Sequence, residues 1–427
     1  MISADCVVAA CRQLLTCGGG VPKRREALRE LGVIENGWVA SNGGTIVFVG
    51  TEQEFRSNVD IAAGAEWIDA GGMVALPGFV DAHTHLPFAG NREREFRLRL
   101  QGWSYQQLAA EGMGIQTTVK ATRAASRDEL QALCLRRLDE MLLTGTTTVE
   151  AKSGYGLNLE DEIKQLEVLR DLGRLHPVAI VPTFMGAHEV PPEFNDRREE
   201  YISLLIQTLI PEVRRRNLAE FFDIFCEPGV FSLEETAALV RAAREAGFKI
   251  KIHADEFATL GGAELAANLG AVSAEHLISV SDLGIEKLAA AATAAVCLPG
   301  VSFFLMLEKR APARRLIDAG AAVALATDFN PGSSYLSSML FVLQLGVYTL
   351  RLGVEEAINA CTANGAYAID RHREVGTLEP GKKMDLLLLD ASDYTSLAYR
   401  LGANPVRLVI KGGKVVVKDG RKVEAAP

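Results

Sequence analysis

The sequence predicts a (β/α)8 barrel, a TIM barrel, carrying a small β-sandwich domain built from both chain ends. Three observations lead there. Strand-like runs alternate with amphipathic helical runs through the middle of the chain, glycine-punctuated strands crowd its two ends, and five of its seven histidines fall just after a predicted barrel strand. A chain of 427 residues is long enough, because such barrels alone run to about 250 residues or more.

In chain order, the runs 43–50 and 66–69 read as short strands between glycine turns, and the runs 385–390 and 406–417 read the same way at the other end. Residues 1–75 together with 377–427 are therefore expected to form one composite sheet domain. Between them, from 76 to 376, predicted barrel strands one to eight are Leu76–Ala82, Gly145–Ala151, Val178–Met185, Phe221–Cys226, Phe248–His253, Ala271–Glu275, Ala295–Leu298 and Ala322–Ala326. Helical runs with apolar spacings of three and four follow most of them, at Glu160–Leu172, Arg197–Arg215, Leu233–Ala246 and Leu260–Asn268. A doubly wound sheet is the rival. It needs a glycine-rich phosphate loop, and Gly112-Met113-Gly114 and Gly154-Tyr155-Gly156 both lack the third glycine.

Composition removes several function classes. Hydrophobic residues make up 48% and charged residues 23%, which excludes wholesale disorder. The net charge of -9 argues against nucleic acid, and the longest basic run, Arg214-Arg215-Arg216, reads as a solvated helix end. Seven cysteines without Cys-x-x-Cys spacing read as reduced thiols, and no signal-peptide pattern opens the chain. Leu288–Leu307 is uncharged and long enough to span a bilayer, but Pro299-Gly300 interrupts it. A helix end, a short buried strand and a loop explain it better, so a cytoplasmic protein without membrane contact is expected.

Chemistry is expected at the C-terminal ends of the barrel strands, where this fold builds its sites. His83 and His85 close strand one as Asp81-Ala82-His83-Thr84-His85, and alternate residues of an extended segment share a face. His253 ends strand five, His276 ends strand six, and Asp328 follows strand eight. Imidazoles and a carboxylate converging on one mouth suit Zn2+ or Fe2+. Any one of these residues could be a hydrogen-bonded core or surface group, but that explanation is poor for all of them at strand ends. His176 and His372 read as structural or surface histidines.

This constellation resembles the amidohydrolase superfamily, a group of metal-dependent hydrolases whose barrel carries His-x-His on strand one, histidines on strands five and six, and aspartate on strand eight. The bridging lysine that some members carry on strand four is absent from Phe221–Cys226, which implies one metal per chain. Finer motifs are similar to the imidazolonepropionase family: Arg92 after Asp81-Ala82-His83-Thr84-His85, Lys152-Ser153-Gly154-Tyr155-Gly156-Leu157, Gly186-Ala187-His188-Glu189-Val190-Pro191, His253-Ala254-Asp255-Glu256, and Asp328-Phe329-Asn330-Pro331-Gly332-Ser333. Gly112-Met113-Gly114 stands where that family tends to have three glycines, and Ser333 where it often has threonine.

The resemblance implies hydrolysis of the ring amide of 4-imidazolone-5-propanoate to N-formimino-L-glutamate in histidine degradation, by a homodimer. It implies His83, His85, His253 and Asp328 as ligands of one transition metal, Zn2+ or Fe2+/Fe3+. Glu256, His276 and Asp328 are the candidates for proton transfer and water orientation, with the choice of base among them open. Glu256 could by spacing alone be a surface carboxylate. Arg92, Tyr105 and Tyr155 would meet the substrate's carboxylate side chain, and only family spacing selects Arg92 over Arg94. His188 would hydrogen-bond the ring carbonyl, and Asn330, Gly332 and Ser333 would hold the ring or product. Two other functions stay open here: a one-metal purine or pyrimidine deaminase, and a non-catalytic scaffold that kept the fold.

Overall fold

The computed structural model describes residues 1–103, 107 and 111–423. Eight parallel strands run in sequence order around a barrel: Phe79–Thr84, Thr146–Lys152, Ala179–Ala187, Phe221–Cys226, Lys249–Ala254, Ser273–His276, Ala294–Cys297 and Ala322–Leu325. These are barrel strands one to eight, and every predicted strand overlaps one of them. The ring is joined between strands eight and one by the bridge Thr84↔Phe329 and two amide bonds. Asp328 N–H donates to the His83 carbonyl and His85 N–H to that of Phe329, both at 3.0 Å. Asp81 adds a side-chain clasp, accepting from the Thr327 hydroxyl at 2.6 Å and its amide at 3.1 Å.

Strand one begins at Phe79, three residues later than predicted. Val74–Pro77 is a separate strand of the other sheet, paired with Ile2–Leu15 and Leu386–Leu389. The break falls at Pro77-Gly78, where a Cβ on Gly78 would stand 2.3 Å from Thr147 Oγ1. Only glycine permits that approach.

The second sheet joins nine strands from both chain ends, as predicted. It curls back on itself: Thr45 bridges Lys383, and Ile46 N–H donates to Lys382 O at 2.7 Å. Cys6, Val8, Leu14, Ile46, Leu388 and Ile410 share the core so enclosed. Two of its N-terminal strands, Ile2–Leu15 and Val33–Asn42, were not foreseen. The first is rich in alanine and cysteine and bulges between Val8 and Cys11; the second contains the turn-like Glu35-Asn36-Gly37.

The helix expected over 197–215 is three joined pieces, Arg198–Leu204, a π-helical turn Leu205–Leu209, and Ile210–Arg215. Pro211 explains the middle piece. It has no N–H to donate, and its ring would collide with the carbonyl four residues back, so the turn widens and Ile210 N–H reaches Leu205 O. The uncharged stretch after 288 ends the helix Asp282–Ala290, gives strand seven, and then forms a short helix, Pro299–Phe304, where a loop was expected. Proline at a first helical position is preorganised for that start. No described helix is long and apolar enough to cross a membrane.

Candidate active site

The strand ends bring the predicted donors together. His83 Nε2 lies 3.3 Å from His85 Nε2, which lies 3.4 Å from His253 Nε2. Asp328 Oδ1 is 3.2 Å from His83 Nε2 and 3.4 Å from His85 Nε2. All four residues are at most 2% exposed. His276 packs beside them, its ring centroid 5.1 Å from that of His253, and neither of its nitrogens has a hydrogen-bond partner among the described residues. His276 and Asp328 take left-handed backbone conformations, φ 72° and 51°, an uncommon region for residues other than glycine.

Beneath these donors lies a layer of buried charge that the sequence reading missed. The His83 Nδ1 faces the Glu275 carboxylate, and His253 Nδ1 lies 3.1 Å from Asp223 Oδ1. Lys152 ties both carboxylates together, its Nζ 2.8 Å from Asp223, 2.8 Å from Glu150 and 3.3 Å from Glu275. Lys251 reaches Glu275 at 2.7 Å. Burial opposes the charge on Lys152, but Asp223, Glu150 and Glu275 outweigh it and hold the ammonium above its ordinary value. The readable signal was a charged residue inside each of four strands buried on both faces.

This arrangement fits a cation. Carboxylates accept only, so the Nδ1 atoms of His83 and His253 carry hydrogens and their Nε2 atoms present bare lone pairs. Those lone pairs face one another and Asp328 Oδ1, which finds no donor among the described residues. An ion about 2.0–2.1 Å from each donor, at angles of 90–120°, spaces its donors roughly 2.9–3.6 Å apart. The four separations given above fall inside that range.

His85, His253, His276 and Asp328 line a cavity of about 640 Å³. Glu256 lies inside it, 5% exposed, with Oε2 3.6 Å from His276 Nε2, so it is not a surface carboxylate. Burial first, then the negative charges of Asp328 and Glu227, push its carboxyl well above the usual range. Two carboxylates that were not foreseen shape its loop. Glu227 accepts from the amides of Glu256, Phe257 and Ala258 at 3.1, 3.3 and 2.7 Å, and Asp255 accepts from those of Leu260, Gly261, Gly262 and Ala263.

His188 stacks on His85 with centroids 4.9 Å apart, and its Nδ1 lies 2.9 Å from the Gly154 carbonyl. Burial and the neighbouring His253 depress its pKa to about 3, so the ring is neutral. Nδ1 then holds the hydrogen and Nε2 is an acceptor. A bond donated to a ring carbonyl, as expected from sequence, needs the opposite tautomer; the ring here suits a donor N–H. Tyr155 is buried 5.3 Å from His188, ring to ring. Asn330 spends its amide within its own turn, donating to Asp328 and Ser333 and accepting from the Gly332 and Ser333 amides. Ser333 Oγ lies 3.3 Å from Asp328 Oδ2.

Arg92 lines the cavity while Arg94 is exposed. The Nε and Nη2 of Arg92 pair with Glu95 at 2.7 and 2.6 Å, and its Nη1 lies against Gly332. Arg99, not foreseen, also lines the cavity. Tyr105 lies outside the described residues. His176 sits apart, between Asp139 and the Val178 amide, and so does His372.

Known proteins bear on this geometry. The amidohydrolase family model matches residues 74–416. The imidazolonepropionase of Symbiobacterium thermophilum is 49% identical over 99% of both chains. That of Geobacillus kaustophilus is 51% identical over 97% of this chain and 98% of its own. Among solved structures, a zinc-bound adenosine deaminase from Xanthomonas campestris superposes with a TM-score of 0.73 at 18% identity, covering 100% of this chain and 95% of that one. A triazine hydrolase variant gives 0.74, also at 18% identity, covering 99% and 96%. At such identity these structures support the fold alone. The eight-stranded barrel, the strand-end donors and the full-length sequence matches agree: the chain belongs to the amidohydrolase family, in its imidazolonepropionase branch.

Proposed function

We propose that this chain hydrolyses the cyclic amide of 4-imidazolone-5-propanoate to N-formimino-L-glutamate, a step of histidine degradation. The observation that carries the reading is the meeting of three elements at one cavity: the clustered donors His83, His85, His253 and Asp328, the buried Glu256, and the cationic side chains of Arg92 and Arg99. The names of relatives about half identical over the whole chain support it.

His83, His85, His253 and Asp328 would hold one transition metal per chain, Zn2+ or Fe2+/Fe3+. Bound there, the metal would supply an acidified water, its pKa lowered from about 15.7 towards 7. A single ion is supported by the lysine-free strand four and by the carboxylate pairing of the two lysines buried in the barrel strands, Lys152 and Lys251. Glu256 is the best of the three candidate bases. As a proposed ligand Asp328 would have its lone pair committed to the metal, whereas the Glu256 carboxyl is outside the ligand set and pushed well above its usual range. Glu256 binds a proton readily, takes one from water, and returns it to the ring nitrogen as the C–N bond breaks. His276 orients the water. Nε2 of His188 accepts from a ring N–H, Tyr155 donates its phenol, and Arg92 meets the propanoate. Asn330, Gly332 and Ser333 shape the wall behind Asp328. Residues 1–75 with 377–427 and residues 76–376 are proposed as the two domains.

Seven free and buried cysteines support a reducing compartment, the cytoplasm, and the resemblance implies a homodimer. The test is a ring-opening assay with imidazolonepropanoate, run with and without a chelator. Turnover that chelation abolishes and added metal restores supports the reading. Turnover of a purine or pyrimidine instead, or protein without metal on elemental analysis, overturns it.

A further inference from the structure

Around Gly332 the cavity wall holds two guanidiniums and one carboxylate, those of Arg92, Arg99 and Glu95. Glu95 is buried and fully engaged: Oε2 takes Arg92, while Oε1 accepts from the Gly114 amide at 2.9 Å and the Thr117 hydroxyl at 3.3 Å. Arg99 is half-buried on the same wall and forms no ion pair among the described residues. Residues 104–106 and 108–110, which follow it in the chain, contain no acid. Its guanidinium lies 5.9 Å from the Phe96 ring centroid and 5.4 Å from that of Phe304, and Nη2 donates to the Gly332 carbonyl at 3.2 Å. Burial, then the like charge of Arg92, bear against its charge, and Glu95 offsets only part of this.

A partly desolvated guanidinium next to a second one is unfavourable without a counter-ion. Arg92 cannot meet an incoming carboxylate with its Nε/Nη2 edge, because Glu95 occupies it. The wall therefore carries one uncompensated positive charge, matched to one anionic group. We propose that Arg99 is a second determinant of specificity for the substrate's carboxylate, sharing it with Arg92. This rests on the proposed ring hydrolysis and assigns that site a further binding residue. The ring itself, at the metal end, would not need Arg99.

The test compares two substrates, imidazolonepropanoate and its neutral propanamide, on the metal-loaded wild type, Arg99→Met and Arg99→Lys. Arg99→Met should raise KM for the propanoate about ten- to a hundred-fold. It should leave KM for the amide where it is, and Arg99→Lys should recover much of the loss. Unchanged propanoate KM in Arg99→Met overturns the inference. So do equal losses on both substrates, which would mean that Arg99 only braces Phe96, Phe304 and the Gly332 loop. If Arg99→Met does not fold, the same comparison on Arg99→Lys decides: an impairment that falls equally on both substrates overturns it, and one confined to the propanoate supports it. A wild type that opens neither ring would instead overturn the proposed function, and this inference with it.

Discussion

Gly332→Ala isolates the placement of Arg92 from the stability of the fold. The backbone at Gly332 is outside the left-handed region, so alanine fits it without strain. Its Cβ, however, would stand 2.0 Å from Arg92 Nη1 and 2.8 Å from Cζ, where ordinary contact begins at 3.4 Å. The guanidinium must therefore retreat by about 1.4 Å, pulling on the 2.6 Å bond to Glu95. The clash is with the end of a flexible side chain, so folding should lose less than about 1 kcal/mol. Substrate binding should lose more. A displaced charge-assisted bond is worth about 1.5–3 kcal/mol, a ten- to hundred-fold rise in KM. Part of the loss should also reach turnover, because a misplacement of about 1 Å spoils the alignment of the ring. Steady-state kinetics alongside urea unfolding checks both halves. Wild-type KM in a folded Gly332→Ala protein would refute the assignment of this wall to the substrate's carboxylate, and a collapse of stability would refute the argument that the clash is local.

Glu256→Gln keeps shape and removes basicity, so kcat should fall by about 10² or more with metal content unchanged; near-normal kcat would pass the role to His276. Asp223→Ala removes the partner of His253 Nδ1 and should weaken metal binding about ten- to a hundred-fold in a chelator competition. Equal affinity would show that the carboxylate does not hold its histidine. Lys152→Met strands three buried carboxylates, and the urea midpoint should report a loss of about 3–5 kcal/mol; an unshifted midpoint contradicts the buried-charge argument. Burial lifts the thiols of Cys6 and Cys226 to about 11 and those of Cys11, Cys17, Cys134 and Cys297 to about 12. At pH 8 roughly one thiol in a thousand or fewer is then ionised, so alkylation should be slow until the protein is denatured. A rapidly labelled cysteine in the native protein would refute it.

The barrel was legible because strands buried on both faces leave unbroken apolar runs, and because a metal-binding mouth concentrates rare residue types at strand ends. Position alone brought His83, His85, His253, His276 and Asp328 to one mouth; choosing a ligand set among them took the family resemblance. Partners set by distance in space could not. Glu275 belongs to His83 nearly two hundred residues away, and nothing local to Lys152 says that it faces Asp223. The N-terminal strand Ile2–Leu15 escaped because alanine, cysteine and a bulge blur the period of two that marks a half-buried strand. The π-helical turn before Pro211 shows the same limit in reverse. Helical periodicity was right, but the way the backbone absorbs a proline is a matter of hydrogen-bond rearrangement that spacing does not encode.

The sheet that draws on both ends of the chain also sets a clock on biosynthesis. Val74–Pro77 has Ile2–Leu15 on one side and Leu386–Leu389 on the other, and the last of these emerges from the ribosome about 310 residues after Val74–Pro77 itself. At about 5–20 residues per second that is roughly 15 to 60 seconds. Throughout that interval Val74, Ala75 and Leu76, all fully buried in the finished protein, sit on an open edge able to pair with the wrong chain. Crowding of nascent chains, more than the stability of the finished barrel, should therefore govern how much of this protein a cell recovers in soluble form.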